Sequence, residues 1–224
     1  MPAETITLYA QGKAFQAALA TPKGVDSSPG VVVIHEWWGL NDNIRRMAER
    51  FASEGFTAIA PDLYGGVVTS DPNEAARLMQ SLDTEHALTL IRASVEELAR
   101  RTGRKVGVTG FCMGGALSFA AAASIDGLAC AVPFYGIPKD EYFDAAKMRC
   151  PIQAHFAKED AWARADRAQA LAEAIRARGG VMELYVYDAG HAFMREGDPS
   201  VYKEEAAKVA WERAIAFLRK HLLG

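Results

Sequence analysis

Residues 110–115 read Gly110-Phe111-Cys112-Met113-Gly114-Gly115 and are the most informative six residues of the chain. They follow a β-rich run, 105–109, and precede a run of small residues, 113–124, that is typical of a closely packed helix. Glycines two positions on either side of Cys112 remove the side chains that would hold strand and helix apart at a sharp turn. The stretch therefore predicts a strand–turn–helix junction with a reactive cysteine at its tip.

The rest of the chain alternates β-rich runs with helical spacing of apolar residues, which is typical of an α/β protein. Two runs around Gly12 predict an antiparallel hairpin, and the unbroken apolar run 30–34 predicts a strand buried on both faces. We expect a mostly parallel sheet of eight strands with helices on both faces, in one domain spanning 1–224. The predicted strands are 5–8, 15–19, 30–34, 56–60, 105–109, 128–134, 151–156 and 181–187, and the predicted helices are 41–54, 88–103, 113–124, 168–175 and 200–222.

Composition limits the classes of function. The 224 residues carry a net charge of −3 without a Lys/Arg block, so the sequence does not predict a nucleic-acid partner. No apolar run approaches the roughly 20 residues of a membrane helix, and residues 1–5 do not resemble a signal peptide. Three cysteines in no zinc-binding spacing predict a reduced, cytoplasmic protein without a cysteine-bound metal.

Reactive side chains in such a sheet are expected at the carboxyl ends of the strands. Cys112 has that position, and the helix that starts after it presents free N–H groups and a positive dipole end that favour a thiolate. The alternative is a small, buried and inert cysteine at a tight turn. Cys130 and Cys150 have no such setting and are interpreted as structural.

A thiol nucleophile needs a base and a group that orients that base. His191 follows the last predicted strand and is the best candidate for the base, with His35 as a weaker competitor. Asp160, preferred to Glu159, is the candidate orienter, because nucleophile, acid and histidine follow one another in this order in the α/β-hydrolase fold. The alternative is that Asp160 is a solvated loop residue. Among the other histidines, we expect His155 in the core and both His86 and His221 on solvated helix faces.

Glu36 follows the third strand, in the loop that supplies the second oxyanion-hole donor of this fold. The predicted donors are the backbone N–H groups of Trp37 and Met113. A carboxylate beside the nucleophile opposes thiolate formation unless it takes the thiol proton itself or swings away. Glu36 is therefore either a proton acceptor, with the thiol mostly protonated at rest, or an ordinary surface residue.

Four segments together resemble the dienelactone hydrolase (carboxymethylenebutenolidase) family: His35-Glu36-Trp37-Trp38-Gly39-Leu40, Ala60-Pro61-Asp62-Leu63-Tyr64, the Cys112 turn and Gly190-His191-Ala192-Phe193. The resemblance implies an α/β-hydrolase with a Cys112–His191–Asp160 triad, in which Glu36 helps to form the thiolate when substrate arrives. It also implies a monomer that needs no cofactor and opens 4-carboxymethylenebut-2-en-4-olide to maleylacetate in the degradation of aromatic compounds.

The sequence departs from the family where the substrate carboxylate is held. The resemblance implies two arginines and a tyrosine there. Arg195 matches one arginine by position. The other is expected in segment 71–77, whose sole arginine is Arg77 and which contains no tyrosine. This departure leaves open a broader carboxylesterase or thioesterase, and a non-catalytic module that binds a ligand or senses redox state through Cys112 is a third hypothesis. Candidate pocket residues are Tyr64, Trp37, Trp38, Met79 and Phe193.

Overall fold

A single eight-stranded sheet runs through the computed structural model, which describes residues 2–24 and 28–224. Residues 1 and 25–27 of the predicted domain lie outside the described part. All eight predicted strands are confirmed, and the last two continue past their predicted ends. The strands are β1 Glu4–Ala10, β2 Lys13–Ala20, β3 Gly30–Ile34, β4 Thr57–Pro61, β5 Val106–Phe111, β6 Leu128–Phe134, β7 Ile152–Glu159 and β8 Met182–Gly190.

The strand order across the sheet is β1-β2-β4-β3-β5-β6-β7-β8. The predicted hairpin pairs β1 with β2 antiparallel at one edge, and β2 is also antiparallel to β4. Every other neighbouring pair is parallel. The carboxyl ends of β3 and β5 to β8 therefore meet at one edge of the sheet, which confirms the expected placement of the candidate residues.

Within residues 2–24 and 28–224, six helices connect or cover these strands. The predicted helices are confirmed, but α2 was not predicted, because its apolar face is short and its signals are mainly the N-cap Asp71 and a proline in the first turn. Side chains of Asn41 and Asp83 cap α1 and α3 in the same manner. The helices are α1 Asp42–Ser53, α2 Pro72–Ser81, α3 Thr84–Thr102, α4 Met113–Ser124, α5 Ala165–Ala177 and α6 Glu204–Leu223, with short 3₁₀ turns at Asp140–Tyr142 and Ala145–Lys147.

Both faces of the central strands are covered, as the apolar run of β3 predicts. A Cβ atom on Gly30 would touch Leu98 of α3, whereas one on Gly107 would touch Leu218 of α6. Gly30 pairs with the residue before Gly107, so α3 and α6 lie on opposite faces. Among the helices of the described residues, none combines the length and the hydropathy that a bilayer span requires.

Candidate active site

Cys112 lies at the tip of a sharp turn between β5 and α4. Its backbone has φ 56° and ψ −116°, a left-handed conformation that a residue with a side chain adopts only under constraint. Its N–H donates to the Phe134 carbonyl (3.1 Å) and its carbonyl accepts from the Ala116 N–H (3.1 Å). The thiol is partly exposed, whereas Cys130 and Cys150 are buried; all three are free. The turn thus presents one cysteine to solvent.

Glycines permit this turn by close approach of backbones. A Cβ atom on Gly110 would overlap the Gly114 carbonyl, and one on Gly114 would overlap the carbonyl of Ile34. The second overlap shows that α4 begins against the end of β3 as well as β5. The predicted reason for the glycines, the close approach of strand and helix, is therefore confirmed. The same close approach also involves the end of β3, where the loop that carries Glu36 begins.

His191 and Asp160 are brought together from the ends of β8 and β7. The Nδ1 atom of His191 lies 2.7 Å from Oδ2 of Asp160. The other Asp160 oxygen accepts from the N–H groups of Trp162 (2.8 Å) and Ala163 (2.9 Å), so this buried carboxylate has a fixed orientation. Asp160 is therefore not a solvated loop residue. His191 and Cys112 line the same pocket, and Cys112 acts on the His191 ring, which brings the predicted nucleophile, base and orienter into one site.

The protonation of His191 follows from these contacts. Burial by itself lowers its pKa, but the hydrogen bonds to Asp160 and Cys112, together with their negative charges, raise the pKa to about 10. Burial opposes ionisation of Asp160, yet its hydrogen bonds from His191 and from two backbone N–H groups hold its pKa below the ordinary value. The arrangement favours an imidazolium at His191, which interacts with both the Asp160 carboxylate and the Cys112 sulfur. That the Cys112 thiol is mostly protonated at rest stays a prediction.

Glu36 is buried, with 2% of its surface exposed, instead of lying on the surface. Its Oε2 atom lies 3.9 Å from Nε of Arg195, and neither atom has a hydrogen-bond partner within the described chain. Burial raises the pKa of Glu36 above its ordinary value, against the lowering effect of the Arg195 and His191 charges. A carboxyl group in this setting exchanges a proton more readily near neutral pH than an exposed one.

Arg195 lies next to Glu36 and Trp38 and is not among the residues that line the pocket beside Cys112. Its guanidinium sits 5.5 Å from the ring of Trp38, and Nη2 lies 3.5 Å from an Asp198 oxygen. These contacts join Arg195 to Glu36 and Trp38 and do not support the predicted role in holding a substrate carboxylate. Arg77 is exposed on α2, and its guanidinium forms a two-pronged pair with Glu74.

Tyr135 is a site residue that was not predicted. It directly follows β6, has φ 34°, and its ring lies edge-on to His191 with centroids 5.2 Å apart. Burial, followed by the nearby charges of Glu36 and Cys112, raises its pKa well above the ordinary value, so the hydroxyl stays protonated. Its position at the carboxyl end of a strand was the available signal, but an aromatic residue after an apolar strand also fits an ordinary core.

The buried His35 holds the loop after β3, because each of its two ring nitrogens forms a hydrogen bond. Nδ1 lies 2.6 Å from the Glu36 carbonyl oxygen, and Nε2 accepts from the Leu63 N–H at 3.2 Å. Burial lowers the pKa of His35, which keeps the ring neutral, as these two bonds require. His35 is therefore a support for the loop and not a competing base. Within the described chain, no backbone acceptor pairs with the Trp37 N–H, and the Met113 N–H begins α4, where helices have free donors.

A pocket of about 390 Å³ opens beside Cys112 and His191. Of the predicted pocket residues, Met79 lines it, whereas Tyr64, Trp37, Trp38 and Phe193 are not among its lining residues. Phe193 is fully buried against Tyr135, and the Tyr64 hydroxyl points at the Met113 sulfur (3.2 Å). These four residues therefore pack outside the pocket lining. The lining also includes residues that were not predicted: Gln80, Leu82, Thr84, Ala116, Leu117, Ala120, Gly136, Ile137, Pro138, Lys139, Tyr142, Trp162 and Ala163.

The remaining histidines are outside the site. His155 is buried between aromatic rings and bonded to Tyr187 and Gln153, as expected for a core residue. His86 is exposed, as predicted, but His221 packs on Phe217 and is only partly exposed.

A mostly parallel sheet with a strained Cys turn after β5, an acid after β7 and a histidine after β8 defines an α/β-hydrolase. A profile described as the dienelactone hydrolase family matches residues 15–222, and the chain belongs to that family. It is accordingly a hydrolase that acts on ester or lactone bonds, and the non-catalytic hypothesis is set aside.

Individual relatives agree with this assignment. The chain is 37% identical to "Protein usf" of Aquifex pyrophilus, over 91% of this chain and 92% of that protein. It is 34% identical to a "Putative carboxymethylenebutenolidase" of Aquifex aeolicus, with the same coverage. The crystal structure of a "Putative Dienelactone Hydrolase" from Klebsiella pneumoniae superposes with a TM-score of 0.88 at 30% identity, covering 96% of each chain.

Proposed function

We propose that this chain hydrolyses carboxylic esters or lactones by covalent catalysis, with the Cys112 sulfur as the nucleophile. The observation that carries the proposal is the continuous set of contacts from Cys112 through His191 to the buried Asp160. Such a set is the general requirement for an activated nucleophile: a base within reach, oriented by a third group.

The proposed reaction has two steps. The Cys112 thiolate attacks the carbonyl carbon, and the N–H groups of Trp37 and Met113 stabilise the oxyanion; one such donor is worth about 2.7–4 kcal/mol. The C–O bond then breaks, and the His191 imidazolium gives its proton to the departing oxygen. In the second step His191 takes a proton from water, which attacks the thioester and releases the carboxylic acid from Cys112.

Glu36 is proposed as a second proton acceptor for the Cys112 thiol. Its burial, its raised pKa and its position near both His191 and Tyr135 support this role. Arg195 then acts through Glu36, because its charge determines how easily the carboxyl group ionises. This role replaces the one that the resemblance implies for Arg195, contact with the substrate.

Opening of 4-carboxymethylenebut-2-en-4-olide to maleylacetate, as part of aromatic degradation, is one proposed reaction; hydrolysis of simpler esters is the second. The second is favoured by one observation: among the described residues that line the pocket, no arginine is present to hold a substrate carboxylate. Turnover of the dienelactone compared with turnover of an aryl acetate separates the two.

We also propose that the protein works as a cytoplasmic monomer on a small-molecule substrate. Cys112, His191, Asp160 and Glu36 all come from one chain, and three free cysteines suit a reducing compartment. The proposed chemistry needs no cofactor, because the thiolate and His191 supply both the nucleophile and the proton.

Replacement of Cys112 by alanine tests the proposal. We expect Cys112→Ala to reduce aryl ester hydrolysis to the uncatalysed rate, while Cys150→Ala, a change at a buried cysteine remote from the turn, retains turnover. Iodoacetamide should label Cys112 much faster than Cys130 or Cys150, which are buried. Unchanged turnover in folded Cys112→Ala would overturn the proposal.

A further inference from the structure

We propose that the pocket beside Cys112 is an acyl-binding site, and that the preferred substrates are esters of uncharged, apolar carboxylic acids longer than acetate. This inference rests on the proposed function, since it names the part of the substrate that stays bonded to the Cys112 sulfur. It is carried by the shape of the pocket along α4 and by the chemistry of its lining.

The pocket follows α4 away from the nucleophile. Cys112, Ala116 and Ala120 all line it, and they are spaced four residues apart, so they share one face of the helix. At 1.5 Å per residue, Ala120 lies about 12 Å further along the helix axis than Cys112. Ala116 is partly exposed although the other residues of the helix up to Ala123 are buried, because its methyl group faces the pocket. The two alanines leave space where larger side chains would fill it.

The other sides of the pocket are apolar and come from two separate segments. Met79 and Leu82 approach from the end of α2, and Ile137, Pro138 and Tyr142 approach from the chain after β6. A volume of about 390 Å³ lies within the range of sites that bind small molecules. An acyl chain of several methylene groups would bury its surface between these segments and α4.

Charge in the pocket does not favour an anionic acyl group. Among the described residues of its lining, Lys139 and His191 are the only ones that can carry a positive charge. Lys139 is exposed, and His191 is committed to Asp160 and Cys112. Arg77 and Arg195 are paired elsewhere. A carboxylate carried along α4 would lose its hydration without a fixed partner, which is costly.

The position of His191 decides which part of the ester enters the pocket. His191 gives a proton to the leaving oxygen, so the alcohol departs on the side of Cys112 where His191 lies. The acyl carbon remains bonded to the Cys112 sulfur through the second step. Because the apolar lining extends from that sulfur along α4 towards Ala120, the space suits the acyl group and not the alcohol.

A chain-length series tests the proposal with one leaving group throughout. For p-nitrophenyl acetate, butyrate and hexanoate, we expect kcat/KM of the wild-type protein to rise at least tenfold from acetate to hexanoate, given roughly fourfold for each fully buried methylene. A second ester has the same leaving group and an acyl chain of the same length that ends in a carboxylate. It should react at least tenfold more slowly than p-nitrophenyl hexanoate.

Ala116→Leu is expected to fill the pocket one turn from the nucleophile. It should lower kcat/KM for hexanoate at least tenfold more than kcat/KM for acetate, and urea denaturation shows whether the variant is folded. Ala170→Leu makes the same change at an exposed position of α5 and should leave both substrates unaffected.

Three results would overturn the proposal. A flat or falling series in the wild type, or an equal loss for both esters in folded Ala116→Leu, would remove the acyl assignment and leave the proposed hydrolysis intact. No hydrolysis by the wild type of any ester of the series or of the dienelactone would overturn the proposed function, and the acyl assignment with it.

Discussion

The Nδ1 atom of His191 lies 2.7 Å from Oδ2 of Asp160, across 31 residues of sequence. The carboxylate accepts at that oxygen, so Nδ1 carries the proton and Nε2 is left to face Cys112. The Trp162 and Ala163 N–H groups hold the second oxygen, which prevents Asp160 from rotating away. One buried carboxylate thus sets the tautomer, the orientation and the basicity of His191.

Asp160→Asn should lower kcat about 10²–10⁴-fold, because a neutral amide does not stabilise the imidazolium and permits the wrong tautomer. The pKa of His191 should fall, and the alkaline limb of the pH–rate profile, where the imidazolium is lost, should move to lower pH. Steady-state kinetics with an aryl ester across pH measure both changes.

Glu159→Gln is the matched control for Asp160→Asn. Glu159 is the neighbouring carboxylate and is exposed at the end of β7, so its loss should leave kcat within about twofold. Equal effects of the two substitutions, or full activity in Asp160→Asn, would remove Asp160 from the proposed machinery.

His191 should also make stability depend on pH. Its pKa of about 10 in the folded protein is above the ordinary value of 6.5, so it stabilises the fold fully below pH 6.5 and loses this contribution as pH rises towards 10. The difference in free energy of unfolding between the wild type and His191→Gln should therefore shrink between about pH 6 and about pH 10. Urea denaturation at several pH values measures it, and a constant or growing difference would contradict the ion pair.

Glu36→Gln should separate turnover from the reactivity of the resting thiol. The amide keeps the shape of the side chain but accepts no proton, so kcat should fall by about 10²-fold or more. Alkylation of Cys112 by iodoacetamide in the absence of substrate should change by less than about threefold, because the proposed proton transfer to Glu36 follows substrate binding.

Glu196→Gln is the control for Glu36→Gln, since Glu196 pairs with Arg50 at the surface. Parallel losses of turnover and alkylation in Glu36→Gln would mean that Glu36 acts on the resting thiol only. Unchanged turnover would mean that it is not a proton acceptor.

Arg195→Met should affect neutral and carboxylate-bearing esters alike. Arg195 faces Glu36 and Trp38 and does not line the pocket, so its removal should lower kcat for both substrates without a selective rise in KM for the acid. Arg77→Met, a change at an exposed arginine paired with Glu74, should leave both unchanged. A rise in KM confined to carboxylate-bearing esters would restore Arg195 to the substrate site.

The fold and the grouping of Cys112, His191 and Asp160 could be predicted from the sequence because the patterns that indicate them are local. Gly30–Ile34 is apolar throughout, which indicates a strand covered on both faces, and the glycines around Cys112 mark a close backbone crossing. His191 and Asp160 follow apolar runs that end at the same edge of a parallel sheet. Chain order and strand ends therefore bring these residues together.

The rest of the site depends on tertiary packing, which local patterns do not reveal. The inward orientation of Glu36 depends on the hydrogen bonds of His35 to two segments, and the role of Tyr135 depends on a ring contact with His191. The pocket combines α4 with α2, which was not predicted, and with the irregular chain after β6. Arg195 matches a family position in sequence, but its contacts identify Glu36 as its partner.

Covalent catalysis by Cys112 requires an acyl group on its sulfur during turnover, and this intermediate can be trapped. The wild-type protein is mixed with an aryl ester, quenched in acid during turnover, digested and analysed by mass spectrometry. We expect one acyl group on the peptide that contains Cys112. It should be absent from Cys112→Ala and should accumulate further in Asp160→Asn if deacylation is slowed more than acylation. An acyl group on a different residue, or full turnover in Cys112→Ala, would contradict covalent catalysis by Cys112.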